Sequence, residues 1–308
     1  MPPKNDSADR DPDKLQRTSR LEPVYLAPIM IHFTAQVLEH VPLADRTFRI
    51  RLACPALAAR IRPGQFVMLR LPETTDPLLG RPFALYDTVL DQHGQPLGVD
   101  LVYLVVGKLT GRLSGVGVGS SVQLWGPLGR PFQDVGTPDQ VTLVAGGIGQ
   151  TPFLAYAREL LGERGYGGDQ PRRRANRVVL LYGVRTAGLA AGVDDFRAAG
   201  VTVHLASDDG SIGFRGLVTQ LLVKQGKTGP LVGCGPEPML QALAKIAREW
   251  RVPCQVSLET PMACGVGICF SCVAKVRTAE GWDYQRVCVE GPVFDADTLI
   301  WGDPSPTN

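Results

Sequence analysis

The sequence predicts an α+β multidomain protein, in which an antiparallel β-barrel precedes an α/β domain with a parallel sheet and a small C-terminal domain. Three observations predict this fold. Short strands separated by turn residues fill the first part of the chain, and strands alternate with helices in the second. Four of the seven cysteines fall between Cys264 and Cys288. The expected domains are 25–137, 138–253 and 254–308, after a polar, flexible tail over 1–24.

Composition excludes several classes of protein. The 308 residues include 44% hydrophobic and 20% charged side chains with a net charge of +2, which argues against wholesale disorder and against a general nucleic-acid binder. No apolar run reaches the ~18 residues of a membrane span, and the chain has no apolar signal segment at its start. We therefore expect a cytoplasmic protein without a membrane span. Clustered, reduced cysteines in that compartment indicate metal or redox ligands.

The first domain is predicted from its strands and turns. Strands are expected at 48–52, 66–71, 99–106 and 121–124, and their spacing is typical of a small antiparallel barrel. Within it, Arg81 can bind a phosphate, and the extended backbone from Arg81 to Tyr86 can line a flat ring. Thr110 offers a hydroxyl and nearby backbone donors. A structural strand with one surface arginine explains the same residues equally well.

The second domain is predicted from a change in the pattern of strands and helices at about residue 141. Strands at 141–145, 178–182, 201–206 and 230–232 alternate with helices at 152–161, 216–224 and 239–250, which indicates a parallel sheet. Gly146-Gly147-Ile148-Gly149 follows the first strand, and a second glycine-rich turn, Gly233 to Met239, follows the fourth. Ligands of such sheets bind at the carboxyl ends of the strands, and glycines let backbone approach a pyrophosphate. A plain strand-to-helix turn is the alternative.

The C-terminal domain carries the most specific motif. Cys264, Cys269 and Cys272 have the C-x4-C-x2-C spacing of a plant-type [2Fe-2S] centre, and Cys288 supplies a fourth thiolate. The glycines at 265 and 267 permit the sharp turns that such a loop needs. A zinc site and unligated thiols are the alternatives, although structural zinc usually takes two close cysteine pairs. Strands at 273–276 and 282–287 are expected to pair.

Other residues suggest no further chemistry. The sequence has no evident Ser-His-Asp or Cys-His arrangement, and none of its four histidines has metal-ligand spacing to another. Arg172 to Arg174 are interpreted as part of a solvated loop, and Cys54 and Cys254 as buried apolar residues.

Together these motifs resemble the electron-transfer subunits of NAD-dependent, class 1B dihydroorotate dehydrogenase (the PyrK family), within the ferredoxin–NADP reductase-like superfamily. The resemblance covers about 27–301. Its matching segments are Arg81–Ala84, Gly126–Gly129, Gly146–Gly149, Tyr182–Arg185, Asp208–Ser211, Cys234–Met239, Met262–Cys269 and Arg286–Phe294. The resemblance implies FAD in the barrel, NAD in the α/β domain and a [2Fe-2S] cluster at the end of the chain.

The resemblance also implies site residues. Those beside FAD would be Arg81, Pro82, Phe83, Ala84, Val102, Tyr103, Leu104, Leu109 and Thr110. Those beside NAD would be Gly146, Gly147, Gly149, Gln150, Thr151, Asp208, Cys234, Gly235 and Pro236, with Cys234 on the nicotinamide side and no acid–base catalyst. The cluster ligands would be Cys264, Cys269, Cys272 and Cys288. The chain departs from the family at Ala84, usually serine, at Leu104, often arginine, and at Leu109, often glycine.

The function implied is that of an oxidoreductase subunit in pyrimidine biosynthesis. An FMN-containing catalytic subunit, expected in a heterotetramer of two plus two, would oxidise dihydroorotate, and electrons would pass through the cluster and FAD to NAD+. One alternative is the small subunit of a related NAD(P)H:ferredoxin or hydrogenase-type complex. Another, from a different class, is a zinc-stabilised binding module without redox function.

Overall fold

The computed structural model describes residues 31–72 and 75–302, and the tail predicted over 1–24 lies outside them. Seven strands of the described chain form the first sheet, which is antiparallel throughout, in the order β4-β3-β7-β1-β2-β6-β5. They are β1 (Ile31–Ala44), β2 (Thr47–Ala53), β3 (Phe66–Arg70), β4 (Arg81–Ala84), β5 (Asp87–Leu90), β6 (Pro96–Leu104) and β7 (Ser121–Leu128), with helices α1 (Pro55–Ala58) and α2 (Lys108–Leu113).

This sheet closes into a barrel. Its two edge strands, β4 and β5, are joined by only Leu85 and Tyr86, so the edges must lie side by side. The Leu85 N–H donates to the carbonyl of Gln65, and the Tyr86 N–H donates to that of Asp100, which ties one edge to the other. The predicted barrel is confirmed. Closure removes the exposed strand edges that an open sheet would present.

The second sheet has the order β11-β10-β9-β8-β12-β13-β16, parallel except for β16. Its elements are β8 (Gln140–Gly146), α3 (Phe153–Leu161), β9 (Arg177–Val184), α4 (Val193–Ala198), β10 (Thr202–Ser207), β11 (Phe214–Arg215), α5 (Val218–Gln225), β12 (Leu231–Cys234), α6 (Glu237–Trp250), β13 (Cys254–Ser257) and, later in the chain, β16 (Val293–Asp295). The predicted alternation of strands and helices is confirmed, and the short helix α4 is an addition to it.

The sheet extends beyond residue 253, where the sequence predicts the α/β domain to end. Strand β13 adds to β12, and β16 returns from the end of the chain to pair with β13. Both strands therefore belong to the second sheet rather than to the C-terminal domain expected over 254–308. Between them lie the cysteine loop and a hairpin of β14 (Val273–Thr278) and β15 (Gly281–Arg286), the pair of strands that the sequence predicts.

The cysteine loop also packs on the barrel. The Trp125 indole N–H on β7 donates to the carbonyl of Cys264 at 3.0 Å. A Cβ placed at Gly265 would lie 2.5 Å from Cγ of Met68 on β3, so the two surfaces are in close contact. No helix in the described residues is long and apolar enough to cross a membrane.

Candidate functional site

A cavity of about 520 Å³ opens where the barrel, the carboxyl edge of the parallel sheet and the segment after β13 meet. Every barrel residue predicted to touch a flavin lines it. These are Arg81, Pro82, Phe83, Ala84, Val102, Tyr103, Leu104, Leu109 and Thr110. The volume lies in the range of cavities that hold cofactors and other small molecules. The barrel residues singled out from the sequence therefore form one wall of this cavity.

The barrel wall of the cavity combines cations with flat apolar surfaces. Arg81 stands at the start of β4, and Lys108 at the start of α2. The rings of Phe83 and Tyr103 meet edge to face at 5.9 Å. Positive charge suits a pyrophosphate, and aromatic and aliphatic surfaces suit an isoalloxazine or adenine ring. This wall therefore fits a dinucleotide such as FAD.

Thr110 differs in detail from what the sequence suggests, whereas Ala84 lacks a polar side chain, as the sequence already shows. The Thr110 hydroxyl accepts hydrogen bonds from the N–H groups of Val106 and Gly107, and it donates to the Gly107 carbonyl. Its hydrogen is thus used within the loop rather than offered to a ligand. Ala84 lines the cavity with only a methyl group, so its side chain cannot hydrogen-bond to a flavin.

The two glycine-rich turns meet at the carboxyl ends of β8 and β12, which are neighbours in the sheet. A Cβ at Gly149 would lie 2.4 Å from the carbonyl oxygen of Cys234, closer than real Cβ atoms approach. Gly149 is therefore required by packing between the turns, whatever ligand they hold. Cys234 and Thr151 line the same cavity as the barrel residues, so this edge of the sheet faces the barrel wall of the cavity.

The other residues predicted to border NAD lie outside that cavity. They are Gly146, Gly147, Gly149, Gln150, Asp208, Gly235 and Pro236. The Gln150 side chain is fully buried, and neither of its amide atoms has a hydrogen-bond partner in the described chain. Asp208 follows β10, two strands from β8, or about 10 Å along the sheet edge. The structure brings Cys234 and Thr151 to the cavity that the barrel residues line, and it leaves Asp208 further along the edge of the sheet.

The Cys234 thiol is buried and neutral. Burial raises the pKa of Cys234 well above its ordinary value, and the negative charge of Glu259 adds to the shift, against a hydrogen bond with Ser257. A thiol in this state is inert as a nucleophile. It can act here as a small, polarisable surface for a ligand at the cavity.

Hydrogen bonds and charge interactions connect all four predicted cluster thiols. The hydroxyl of Ser271 and the Cys264 thiol lower the pKa of exposed Cys269 to about 6. Burial and the neighbouring Cys272 thiol raise the pKa of Cys288 to about 12. Among the described residues, no three His, Cys, Asp or Glu side chains are grouped to hold a single metal ion. The C-x4-C-x2-C spacing with a distant fourth cysteine fits a two-iron cluster better than a structural zinc site, which usually takes two close cysteine pairs.

The loop around these thiols has the turns that a cluster requires. Gly265, Gly267 and Phe270 have φ values of +73°, +81° and +55°, and the Val266 N–H points to the Cys264 sulfur at 3.4 Å. Arg286 donates to the Gly267 carbonyl and to the Glu290 carboxylate, so it joins the loop to the segment that carries Cys288. Backbone N–H groups aimed at sulfur stabilise the charge of a cluster.

A short segment joins the cavity to the cysteine loop, here called the cluster loop. This segment was not identified from the sequence. Ser257, Leu258, Glu259, Thr260, Pro261 and Met262 all line the cavity. Met262 is two residues from Cys264, so their Cα atoms lie at most ~7 Å apart. The signal for this segment was available, because it follows the carboxyl end of a parallel strand, where ligands bind. The sequence predicts no strand at Cys254–Ser257 and places these residues in the C-terminal domain, so the segment is not recognised there.

Comparisons with known proteins agree with this geometry. The family model for the iron-sulfur cluster binding domain of dihydroorotate dehydrogenase B matches residues 259–300. The chain is 35% identical over 273 residues to the dihydroorotate dehydrogenase B (NAD(+)) electron transfer subunit of Desulforamulus reducens, covering 87% of this chain and 98% of that one. Against the same subunit of Geobacillus thermodenitrificans it is 36% identical over 261 residues, covering 84% and 94%. A solved NADH-dependent reduced ferredoxin-NADP oxidoreductase matches with a TM-score of 0.71 and 27% identity, covering 87% of this chain and 90% of that one.

Proposed function

The chain belongs to the family of dihydroorotate dehydrogenase B electron transfer subunits, and we propose that it carries electrons from an FMN-containing catalytic subunit through a [2Fe-2S] cluster and FAD to NAD+. One observation carries the proposal. A single cavity combines the barrel wall that fits FAD with Cys234 and Thr151 at the nucleotide turns, and it reaches Met262 beside the cluster loop. Three cofactor regions therefore meet at one place.

In this proposal the residues of the chain bind and orient the cofactors. Arg81 and Lys108 attract the pyrophosphate, and Phe83 and Tyr103 provide the wall against which flat rings lie. Cys264, Cys269, Cys272 and Cys288 hold the cluster. When bound, the flavin exchanges single electrons with the cluster and a hydride with the nicotinamide, which accepts two electrons only together.

We assign the catalytic subunit to the face that carries Cys269. This thiol is exposed, and its neighbours Ile268 and Phe270 are 79% and 59% exposed. Apolar side chains around a cluster ligand suit a protein partner, and a short distance to that partner suits electron transfer. We propose a complex of two plus two subunits in the cytoplasm, where thiols stay reduced. Its mass in solution, measured by light scattering, tests the stoichiometry.

The test is to co-express the chain with the FMN subunit and to measure dihydroorotate-dependent NAD+ reduction. We expect FAD, iron and sulfide in the purified complex and a rate above that of the FMN subunit alone. C269S should lose the cluster and this rate but keep FAD. C54S, at a buried thiol outside the cluster loop, should keep FAD, the cluster and the dihydroorotate-dependent rate. The proposal would be contradicted if the wild-type complex reduced NAD+ with dihydroorotate no faster than the FMN subunit alone.

A second candidate is a subunit of a related NAD(P)H:ferredoxin oxidoreductase. It is favoured by the 27% identity with the solved ferredoxin-NADP oxidoreductase over most of both chains. Reduction of ferredoxin by NADH or NADPH without a dihydroorotate-oxidising partner would support it. The visible spectrum tests the zinc-stabilised module, because that protein would be colourless.

A further inference from the structure

The indole of Trp125 joins the barrel to the cluster loop. Trp125 lies on β7, and its side chain is half-buried in apolar surroundings. Its N–H donates to the carbonyl oxygen of Cys264 at 3.0 Å. Its six-membered ring lies against Gly80, because a Cβ placed at Gly80 would stand 2.5 Å from Cη2 of the indole. One side chain therefore contacts both the residue before Arg81 and the first of the predicted cluster ligands.

The hydrogen bond fixes the orientation of one peptide group in the loop. The Cys264–Gly265 peptide is trans and planar, so its C=O and N–H point in opposite directions. Because the carbonyl points at the indole on the barrel, the Gly265 N–H points away from the barrel. That N–H makes no hydrogen bond within the described chain. It is therefore available to a sulfur atom of a group that the loop encloses.

The neighbouring backbone is arranged in the same sense. The Val266 N–H lies 3.4 Å from Sγ of Cys264, and Gly265 has a positive φ of +73°. Successive N–H groups around such a residue form backbone concavities that are typical of anion and iron–sulfur sites. A Cβ at Gly265 would lie only 2.5 Å from Cγ of Met68, so the loop rests directly on the barrel at this point.

A second loop carbonyl is held in a different way. Arg286 donates to the carbonyl of Gly267 at 3.1 Å, but it comes from the segment that carries Cys288 and brings a positive charge. Trp125 comes from the barrel and carries no charge. It can therefore act on the loop only through the orientation of the peptide and through packing.

Peptide orientation affects an iron–sulfur cluster through its reduction potential. Reduction adds one electron, and thus one negative charge, to a [2Fe-2S] cluster. N–H groups directed at sulfur stabilise that charge, so they favour the reduced form and raise the potential. A peptide group that is free to turn loses part of this stabilisation.

We propose that Trp125 is a positioning residue for the cluster, whose indole N–H holds the Cys264–Gly265 peptide in the orientation that raises the reduction potential. The inference rests on the proposed function, because it requires Cys264 to be a cluster ligand. The packing of the same ring on Gly80 seats the loop against the barrel wall of the cavity. The barrel thus sets a property of the cluster as well as binding the flavin.

Two substitutions separate the N–H from the ring. W125F keeps an aromatic ring but has no donor. W125H keeps a nitrogen at the ring position of Nε1 and loses the benzene ring that packs on Gly80. The reduction potential of the cluster is measured in the purified complex by EPR spectroscopy during a redox titration at about pH 8, where histidine is neutral.

The two variants should differ in potential. We expect W125F to shift the ratio of reduced to oxidised cluster about tenfold toward the oxidised form, which is a fall of about 59 mV for a one-electron couple. W125H should stay within about threefold of the wild-type ratio at the same applied potential.

A control and a second readout accompany the titration. W282F removes an exposed indole that lies over Lys275 on the hairpin, and it should leave the cluster potential unchanged. Hydrogen–deuterium exchange over residues 262–272 requires no turnover. We expect faster exchange there in W125F than in W282F, because the loop loses its hydrogen bond to the barrel. Iron, sulfide and FAD contents show whether each variant is loaded.

Each outcome decides the inference. An unchanged potential in W125F overturns it, and so does a fall in W125H as large as that in W125F, because the ring rather than the N–H would then set the potential. If W125F loses the cluster, a loaded W125H with the wild-type potential supports the inference, and loss of the cluster from both variants overturns it. If the wild-type complex contains no iron and sulfide, the proposed function fails. A wild-type cluster with the same potential in W125F removes only the role of Trp125.

Discussion

Gly149 occupies a position at which even a methyl group would collide with the backbone. Its Cβ would stand 2.4 Å from the Cys234 carbonyl oxygen and 2.8 Å from the Gly235 N–H nitrogen, and neither backbone atom can move independently. We expect G149A to lower the free energy of unfolding by roughly 1–3 kcal/mol and to weaken NAD binding, because the two turns must separate. Thermal unfolding and NADH titration check this.

Gly117 provides the matched control, since a Cβ there would meet no atom within 4 Å. G117A should therefore leave both measurements unchanged. Equal stability of G149A and G117A would contradict the close approach of the turns.

The roles of residues in local motifs could be predicted from the sequence, because spacing and side-chain chemistry within a short segment indicate them. Spacing and resemblance single out Arg81 through Ala84, which line the cavity, and the four cysteines predicted to hold the cluster. The engagement of the Thr110 hydroxyl could not be predicted, because it depends on how the loop at Gly107 folds back on the helix.

At the scale of elements, a charge network ties three barrel strands together. Glu39 on β1 contacts Arg49 at 2.7 Å and Arg51 at 2.9 Å on β2, and Arg51 contacts Asp100 on β6 at 2.8 Å. The hydrogen bond from Arg49 holds the pKa of Glu39 below its ordinary value of 4.5. A carboxylate with a lowered pKa in the folded state contributes stability above its unfolded pKa and loses it as the pH falls through the folded one.

We therefore expect E39Q to be less stable than the wild type at pH 7, by about 1 kcal/mol or less because the pair is partly solvated. The difference should shrink as the pH falls below 4.5 and vanish once Glu39 of the wild type is protonated. Melting temperatures measured over this range check the trend. A difference that is constant with pH would show that packing, not charge, holds the strands.

At the scale of the whole molecule, the domain types were predictable and their boundary was not. Strand–helix alternation depends on local periodicity, so the parallel sheet was expected from the sequence. Membership of a strand in one sheet or another depends on long-range pairing. Cys254–Ser257 and Val293–Asp295 flank the cysteine loop in sequence, yet both pair within the second sheet. The loop is consequently anchored at both ends to the sheet that carries Cys234.

A buried carboxylate, Asp87, fastens the barrel to the α/β domain. Asp87 on β5 accepts hydrogen bonds from Arg158 on α3, from Arg164 at 3.2 Å and from the Tyr166 hydroxyl at 2.7 Å. Replacing it with asparagine removes the counter-charge of partly buried Arg164 and leaves partly buried Arg158 with only Glu163, 3.6 Å away. Breaking such a pair costs about 3–5 kcal/mol, far more than an exposed pair is worth.

We expect D87N to lower the melting temperature strongly and to lose FAD more readily, because the flavin cavity lies between the same two domains. D169N removes the exposed partner of Arg62, 3.1 Å away, and should change stability by less than ~1 kcal/mol. Melting curves and the FAD retained after gel filtration compare the two variants. If D87N held FAD and melted as D169N does, the domains would be joined chiefly by the cluster loop, and the cavity would not depend on Asp87.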